Sequence, residues 1–545
     1  MRMVVLALGG VLVVLFLWVV IARLVNRVDP EWMTGSVRES VERVRDGKPI
    51  YIAPSATFIP FVYTPLYIWL AAALARFCSV FVACKILSLS ATALTAWCIA
   101  RLARLFGATR FWTVVGVLLH CGTYSVTLFF FDIERVDALS SAIVLLALVV
   151  LLEGEGGTAR TALAGVLFGL AFFAKQPGLI AFVAAVCGLA LAREKRRALI
   201  VLLVGASVFA LMFAYIDART GGWFHYYCMK IPRSHGIEPA LISTFFIIDL
   251  PKLFVLGAGS AVITIPVAWS AIRRRLPPEG MPWREVVFAA VVAAGVAGAF
   301  FLRAHRGGWA NVIVAWTPLG CAAAAIAASR MERLAESTPL ARPVSLLLLL
   351  GVTLQLLGNA FDPNENTPDS DDKKASDSFT ALVRKAEEQG EVVVTTTGGI
   401  TRAPHFHAAA LFDVVRAGDR APADYLGALR ERRYAALFVG APDEFMCELP
   451  SCKELSNTTL RNYFVAARLE DREKTGMVGY DGRARWIMRP RRHPLQSLSR
   501  RQLDERIRQE IGIADMQRLA AAPHADIVID DDIEELARSR TETTE

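Results

Sequence analysis

The sequence predicts a mainly α, polytopic membrane helix bundle of about 11 spans with a C-terminal extracytoplasmic α/β domain. Three observations predict it. Of 545 residues, 54% are apolar, and the mean hydropathy is positive; that balance belongs to a membrane protein with room for a separate soluble part. Apolar stretches close to the ~20 residues that a bilayer requires recur through the first 360 positions. At Asp362-Pro363-Asn364 the composition turns polar, and apolar bursts begin to alternate with helical patterns.

The stretches are 3–24, 80–103, 111–131, 137–152, 159–175, 178–192, 198–217, 251–272, 285–302, 309–328 and 343–360. The first lacks a small-residue cleavage site and reads as a retained anchor. Basic clusters mark alternate junctions: Arg101, Arg104 and Arg110; Arg193, Lys195, Arg196 and Arg197; Arg273, Arg274 and Arg275; Arg330, Arg333 and Arg342. The positive-inside rule makes that side cytoplasmic and puts the N-terminus with it. The loops 29–67, 131–137, 218–250 and 303–308 then lie outside, with everything past 360. The first outer loop carries several Arg itself; the larger set of junctions decides.

That first loop organises the chain. Trp32, Met33, Val37, Val41 and Val44 recur at helical spacing, with Arg38, Glu39, Glu42 and Arg43 opposite. The pattern predicts a helix on the membrane surface, apolar face down. Asp29 is its expected N-cap, Pro30 its first residue and Gly47 the residue past its end. A second short helix is expected from Thr64-Pro65 to Phe77.

Four constellations carry the chemistry. Asp29 and Glu31 are carboxylates that can take a proton from an acceptor; capping and the helix dipole account equally for acids there. Phe131-Asp132-Ile133-Glu134-Arg135-Val136-Asp137 puts four charges in one turn, with Asp137 at membrane depth, where ionisable groups are costly and are paired or functional. Lys175, at the end of a span, either snorkels to the interface or binds a lipid phosphate. The turn from Arg303 through His305, Arg306, Gly307, Gly308, Trp309 and Asn311 can cradle a phosphate, against the plainer reading of a turn with an interfacial Trp. Carboxylates beside phosphate-binding cations suit transfer of a group from a phosphate leaving group to a nucleophile.

In the polar part, 391–395, 434–439, 463–468 and 484–488 read as strands, and 375–389, 407–416 and 422–432 as helices of a small α/β domain over 361–490. The charged stretch 491–545 reads as a tail, helical in patches or disordered. Cys447 and Cys452 can pair if that segment is extracytoplasmic. His405 and His407 share a face of an extended segment, but no further ligand completes a metal set. No metal or other cofactor is expected, though a divalent ion between Glu31 and Asp137 is conceivable chemistry. Phosphate-loop, dinucleotide and nucleophile-elbow signatures are absent, and no basic aromatic surface suggests nucleic acid.

In order along residues 25–330, the segments Glu31-Trp32-Met33-Thr34-Gly35, Gly47-Lys48-Pro49-Ile50-Tyr51, Phe61 to Tyr67, Phe131 to Asp137, Phe173-Ala174-Lys175-Gln176 and Gly307 to Asn311 resemble the GT-C membrane glycosyltransferases. The likeness is to glycosyltransferase family 39, the protein O-mannosyltransferase and lipid A aminoarabinose transferase group, in bacterial members of uncharacterised specificity. The resemblance implies an N-in bundle in a bacterial inner membrane and a polyprenyl-phosphate-linked sugar donor. It also implies inversion at the anomeric carbon. The family's first acid falls on Glu31 or Asp29, its second on Asp137, and its phosphate-binding Lys on Lys175. The aminoarabinose enzymes carry a Lys where this chain has Thr64, so a phosphate contact is either missing or supplied by Arg135 or Arg306.

The sequence reading is therefore a membrane glycosyltransferase working on the outer face, for a lipid, glycan or protein acceptor. Glu31, with Asp29 as alternative, is the base. Asp137 positions the acceptor or sugar. Lys175 and Arg306 hold the phosphate, with Arg135, Arg303, His305, Tyr63 and Tyr67 in the binding set. The transmembrane catalytic part is 1–360, with 26–79 as its first outer loop. The rivals are a flippase of lipid-linked sugars, whose signature of inverted repeats is absent, and a non-catalytic envelope assembly protein.

Overall fold

The computed structural model describes residues 1–154, 157–273, 281–396, 398–440, 450–469, 484–496 and 498–516. In chain order its main helices begin with α1 (Arg2–Asn26), α2 (Thr34–Arg45), α3 (Leu66–Leu74), α4 (Val80–Leu105), α5 (Arg110–Gly122) and α6 (Val136–Leu152). There follow α7 (Thr158–Ala174), α8 (Gly178–Leu191), α9 (Lys195–Arg219), α10 (Phe254–Ile272), α11 (Trp283–Ala304), α12 (Thr317–Ala335) and α13 (Ala341–Gly358). Every one of the expected apolar stretches thus holds a helix. Among the described residues six helices are long and apolar enough to cross a membrane: α1, α4, α9, α10, α11 and α13. The apolar helices α6, α7 and α8 are shorter. The protein is an integral membrane protein.

The chain divides into two compact units. The first holds Met1–Ile21, Tyr63–Gly221 and His235–Pro363; the second holds Ala22–Val62, Gly222–Ser234 and Asn364–Glu545.

In the first unit α6 is the central helix, buried along nearly its whole length. Trp112, Phe168, Phe182, Val287, Trp316 and Leu319 belong to the same apolar core. Helices α1, α9 and α13 instead expose Trp18, Leu211, Tyr215 and Leu347; exposed apolar residues on such helices face lipid. Small residues set the closest approach, because backbones must touch: a Cβ on Gly169 of α7 would lie 2.7 Å from the Gly205 carbonyl of α9.

One span departs from expectation. The stretch 111–131 is helical only to Gly122. The Thr123 and Thr127 hydroxyls donate back to the carbonyls of His120 and Thr123, at 2.7 and 2.9 Å. Leu128 and Phe129 follow at φ of 57° and 61°. Consecutive left-handed residues without glycine cannot continue a helix and cost about 1–2 kcal/mol each. Hydropathy does not register either effect.

In the second unit, β1 (Glu391–Val394), β2 (Tyr434–Val439), β3 (Tyr463–Arg468) and β4 (Trp486–Pro490) form a sheet of order β1-β2-β4-β3. The β1–β2 pair is parallel, with Val394 opposite Phe438; β4 runs antiparallel to both β2 and β3. The helices are α14 (Ser370–Glu387), α15 (Ala408–Arg416), α16 (Ala423–Arg430), α17 (Pro450–Asn462) and α18 (Arg500–Met516). Val383, Val392, Val394, Phe438 and Ile487 form a core on one face. All four strands answer the expected ones, whereas α17 was not foreseen.

The charged stretch from Arg491 holds a helix at Arg500–Met516, and residues 517–545 lie outside the described residues. Arg491 and Glu510 are wholly buried, 2.7 Å apart, and Arg506 joins Glu510 at 3.2 Å. Glu510 also accepts from the Val465 amide of β3 at 3.2 Å. Helix α18 is thereby part of the α/β fold. Cys447 lies outside the described residues, and with it the expected pairing to Cys452.

Helix α2 belongs to this second unit as well. It begins at Thr34 rather than Pro30, and Gly47 follows its end at φ 74° as expected. Its apolar face of Met33, Val37 and Val41 is covered by protein, not laid on lipid. Gly35 and Gly398 meet backbone to backbone: a Cβ on Gly35 would sit 2.5 Å from the Gly398 carbonyl.

Candidate functional site

The turn 131–137 is clamped by one face of α4. Lys85, Ser88 and Thr92 stand three and four residues apart, so they share that face. They donate to the carbonyls of Asp132 at 3.0 Å, Ile133 at 2.7 Å and Phe131 at 2.8 Å. Lys85 Nζ also lies 3.5 Å from Glu134 and 3.9 Å from Asp132, while Tyr124 donates to Asp132 Oδ1 at 2.6 Å. Asp132 and Glu134 are thus engaged in holding the turn. Lys85 went unnoticed in the sequence, where it reads as a stray cation in an apolar helix. The available signal was the rule that an ionisable residue at membrane depth needs a partner.

Asp137 sits in the first turn of α6, fully buried. Lys175 caps the C-terminus of α7 and places Nζ 2.6 Å from Asp137 Oδ1. Asn311 lies on a short 3-10 helix, Ala310–Ala315, and donates to the same oxygen at 3.2 Å. Arg135 Nε is 3.8 Å from Asp137 Oδ2, and that oxygen is buried without a hydrogen bond. Arg135 Nη2 donates to the Tyr63 hydroxyl at 2.6 Å, and the guanidinium lies 5.1 Å over the Tyr63 ring and 5.2 Å over that of Phe130. Three element ends therefore bring a carboxylate, an ammonium, an amide and a guanidinium together. An ammonium has three donors, and Asp137 takes one of them.

The other expected residues lie elsewhere. Arg303 is buried and committed: its Nε is 2.7 Å from Asp249 Oδ2, and Nη1 donates to the Gly308 carbonyl. Arg306 is exposed, 3.7 Å from Glu238. His305 pairs as an antiparallel bridge with Ile237, and its ring lies 5.1 Å from that of His235. Tyr67 is buried with its hydroxyl at Ser88 Oγ, 2.9 Å, and the Cys84 carbonyl, 3.2 Å; it braces α3 against α4. Asn311, His235 and Asp249 had no role from sequence, although Asn311 stood in a noted motif.

In the second unit, Asp29 is not a cap. It pairs with Arg38 at 2.6 Å. Glu31 is 2% exposed, and its Oε2 accepts from the Met33 amide at 2.9 Å. Glu39 of α2 has a buried oxygen without a hydrogen bond. Burial pushes its carboxyl up to about 7 against the opposing pull of Arg43. His405 and His407 lie outside any strand. His407 caps α15: its Nδ1 accepts from Ala409 at 3.0 Å and its Nε2 meets the Thr396 carbonyl at 2.8 Å. Burial holds His407 down at about 4, so it is a neutral cap. Among the described residues no group of three His, Cys, Asp or Glu is suited to a metal.

No protein-family model matches this sequence, and no curated protein is similar to it in sequence. Solved structures are similar in fold. ArnT from Cupriavidus metallidurans bound to undecaprenyl phosphate shares 14% identity and a TM-score of 0.50, covering 87% of this chain and 97% of that one. The same enzyme in the apo state also gives 14% and 0.50, over 88% and 98%. The chain has the GT-C fold.

Proposed function

We propose that this protein is a glycosyltransferase that moves a sugar from a polyprenyl-phosphate carrier to an acceptor on the outer face of a bacterial inner membrane, with inversion. The observation that carries the reading is the buried Asp137–Lys175 pair, which leaves Asp137 Oδ2 without a hydrogen bond. A buried carboxylate oxygen with a 3.8 Å ion-pair contact to Arg135 but no hydrogen bond is costly, and a hydroxyl of the bound sugar or acceptor completes its shell. The remaining donors of Lys175 face a phosphate oxygen as a point charge. The likeness to a structure solved with undecaprenyl phosphate supports that choice of carrier.

In the reaction, the acceptor oxygen forms a bond to the anomeric carbon while the bond from that carbon to the phosphate oxygen breaks. Its electron pair leaves with the polyprenyl phosphate, and the acceptor proton passes to a carboxylate. Glu31, with Asp29 as the alternative, is the base. Lys175 and Arg135 stabilise charge on the departing phosphate.

The test is donor consumption by purified protein in lipid, with a panel of polyprenyl-phosphate sugars and envelope extract as acceptor. One donor is expected to be consumed by the parent, at a rate lowered about 10²-fold or more in Asp137→Asn and Glu31→Gln. Parent and both variants behaving alike across the panel refutes the reading and leaves the flippase and assembly roles.

A further inference from the structure

Helix α4 is apolar along most of its length, yet one face carries Lys85, Ser88 and Thr92. Lys85 and Ser88 are 2% and 0% exposed. Polar groups at that depth are costly unless they have partners. Theirs are the carbonyls of three successive residues, 131–133, in the turn that leads into α6. Such a clamp fixes the path of the chain whatever side chains the turn carries.

Proton counting gives the clamp a direction. The Ser88 hydroxyl has one proton and spends it on the Ile133 carbonyl at 2.7 Å. The Tyr67 hydroxyl, 2.9 Å from Ser88 Oγ, is therefore the donor of that pair. The same Ile133 carbonyl accepts from the Arg135 amide at 2.8 Å. Arg135 directly precedes α6, whose second residue is Asp137. A line of hydrogen bonds thus runs from α3 through α4 to the residue whose guanidinium lies 3.8 Å from Asp137 Oδ2.

Lys85 adds an electrostatic effect. The turn holds Asp132, Glu134, Arg135 and Asp137, and Lys85 and Lys175 stand against it. Three acids meet three cations. Lys85 Nζ is 3.5 Å from Glu134 and 3.9 Å from Asp132. Without that ammonium the buried turn is left negative, and uncompensated buried charge is strongly unfavourable. Arg135, adjacent to Glu134 in the chain, is then drawn toward the acids and away from Tyr63 and Asp137.

We propose that Lys85, Ser88 and Thr92 are positioning residues for the Asp137 centre. The clamp fixes the backbone of the turn, and Lys85 neutralises Asp132 and Glu134, so that Arg135 and Lys175 are kept for the departing phosphate. The inference rests on the transferase reading for the role of that centre.

The test uses the full chain in vesicles with two readouts: sugar transfer, and amide hydrogen exchange of the 131–137 peptide by mass spectrometry. Lys85→Met is expected to lower kcat and kcat/KM together by about 10²-fold, the loss that a small misplacement brings, because the displaced groups act in the transition state. Lys85→Arg, which keeps the charge, retains most of the rate. Adding Glu134→Gln to Lys85→Met restores the charge balance and recovers about tenfold in kcat. Ser88→Ala with Thr92→Val leaves every charge in place and carries the test should Lys85→Met not fold; it speeds exchange of the peptide about tenfold. Unchanged exchange in the folded clamp variant overturns the proposal. So does an unchanged kcat in Lys85→Met, or a Lys85→Met, Glu134→Gln protein that regains thermal stability but none of the rate. Exchange needs no turnover, so a parent without transfer removes the transferase reading, while faster exchange in the variants keeps the clamp.

Discussion

Two buried charge clusters, one in each unit, solve the same electrostatic problem differently. In the α/β unit every oxygen of Glu510 is used: Oε1 faces Arg491 and Arg506, and Oε2 accepts from Arg491 and the Val465 amide. In the helical unit Asp137 Oδ1 takes Lys175 and Asn311, while Oδ2 is buried without a hydrogen bond. Burying charge costs several kcal/mol per ion unless partners complete its shell. A complete shell pins a helix to a sheet. An incomplete one leaves an acceptor oxygen open to a further donor. Glu39 of α2 shows a third solution, in which the buried oxygen keeps a proton because burial raises its carboxyl to about 7.

The largest expected effect tests that contrast directly. Asp137→Leu or Lys175→Met alone strands its partner, costing about 3–5 kcal/mol of stability and about 10³-fold or more in transfer. The double variant restores thermal stability toward that of the parent and leaves transfer abolished. Recovery of transfer along with stability would make the pair a structural one.

Next comes Glu510→Gln, which leaves two buried guanidinium groups short of charge. It should destabilise the α/β unit by about 3 kcal/mol, read by limited proteolysis of the sheet, while donor turnover per folded molecule persists. An equal loss of turnover would place the satisfied cluster in the reaction after all.

The smallest effect follows from Glu39. A carboxyl raised in the folded state binds its proton more tightly there than in the unfolded chain. Stability is therefore full below about 4.5 and falls as pH rises to about 7, by a total on the order of 3 kcal/mol. Glu39→Gln should flatten that slope in thermal melts and raise stability at pH 8. An unchanged slope would mean that Glu39 is ionised in the fold.

Much of the architecture was legible because it follows from periodicity and composition. Long apolar runs declare helices wherever they lie, and β-branched bursts such as 391–394 and 434–439 declare strands. What escaped depended on partners distant in sequence. Lys85 gains meaning only from the 131–134 carbonyls. Asn311 matters only because its short helix ends beside Asp137. Tyr67, offered by a motif as a binding residue, is spent on α4. The apolar face of α2 signalled burial correctly, but periodicity cannot tell lipid from a protein surface, and only the contact of Gly35 with Gly398 decides it.

The sequence by itself determined the membrane class, the apolar helices, the strands of the second unit, and the turn that ends in Asp137. These are local properties, set by side-chain spacing and by the length a bilayer demands. Only the tertiary structure decided which charges are satisfied and which are left bare, because hydrogen-bond completion depends on three chain ends meeting within 4 Å. The incomplete shell of Asp137 and the complete one of Glu510 look alike as letters, an acid among basic residues; packing alone separates them.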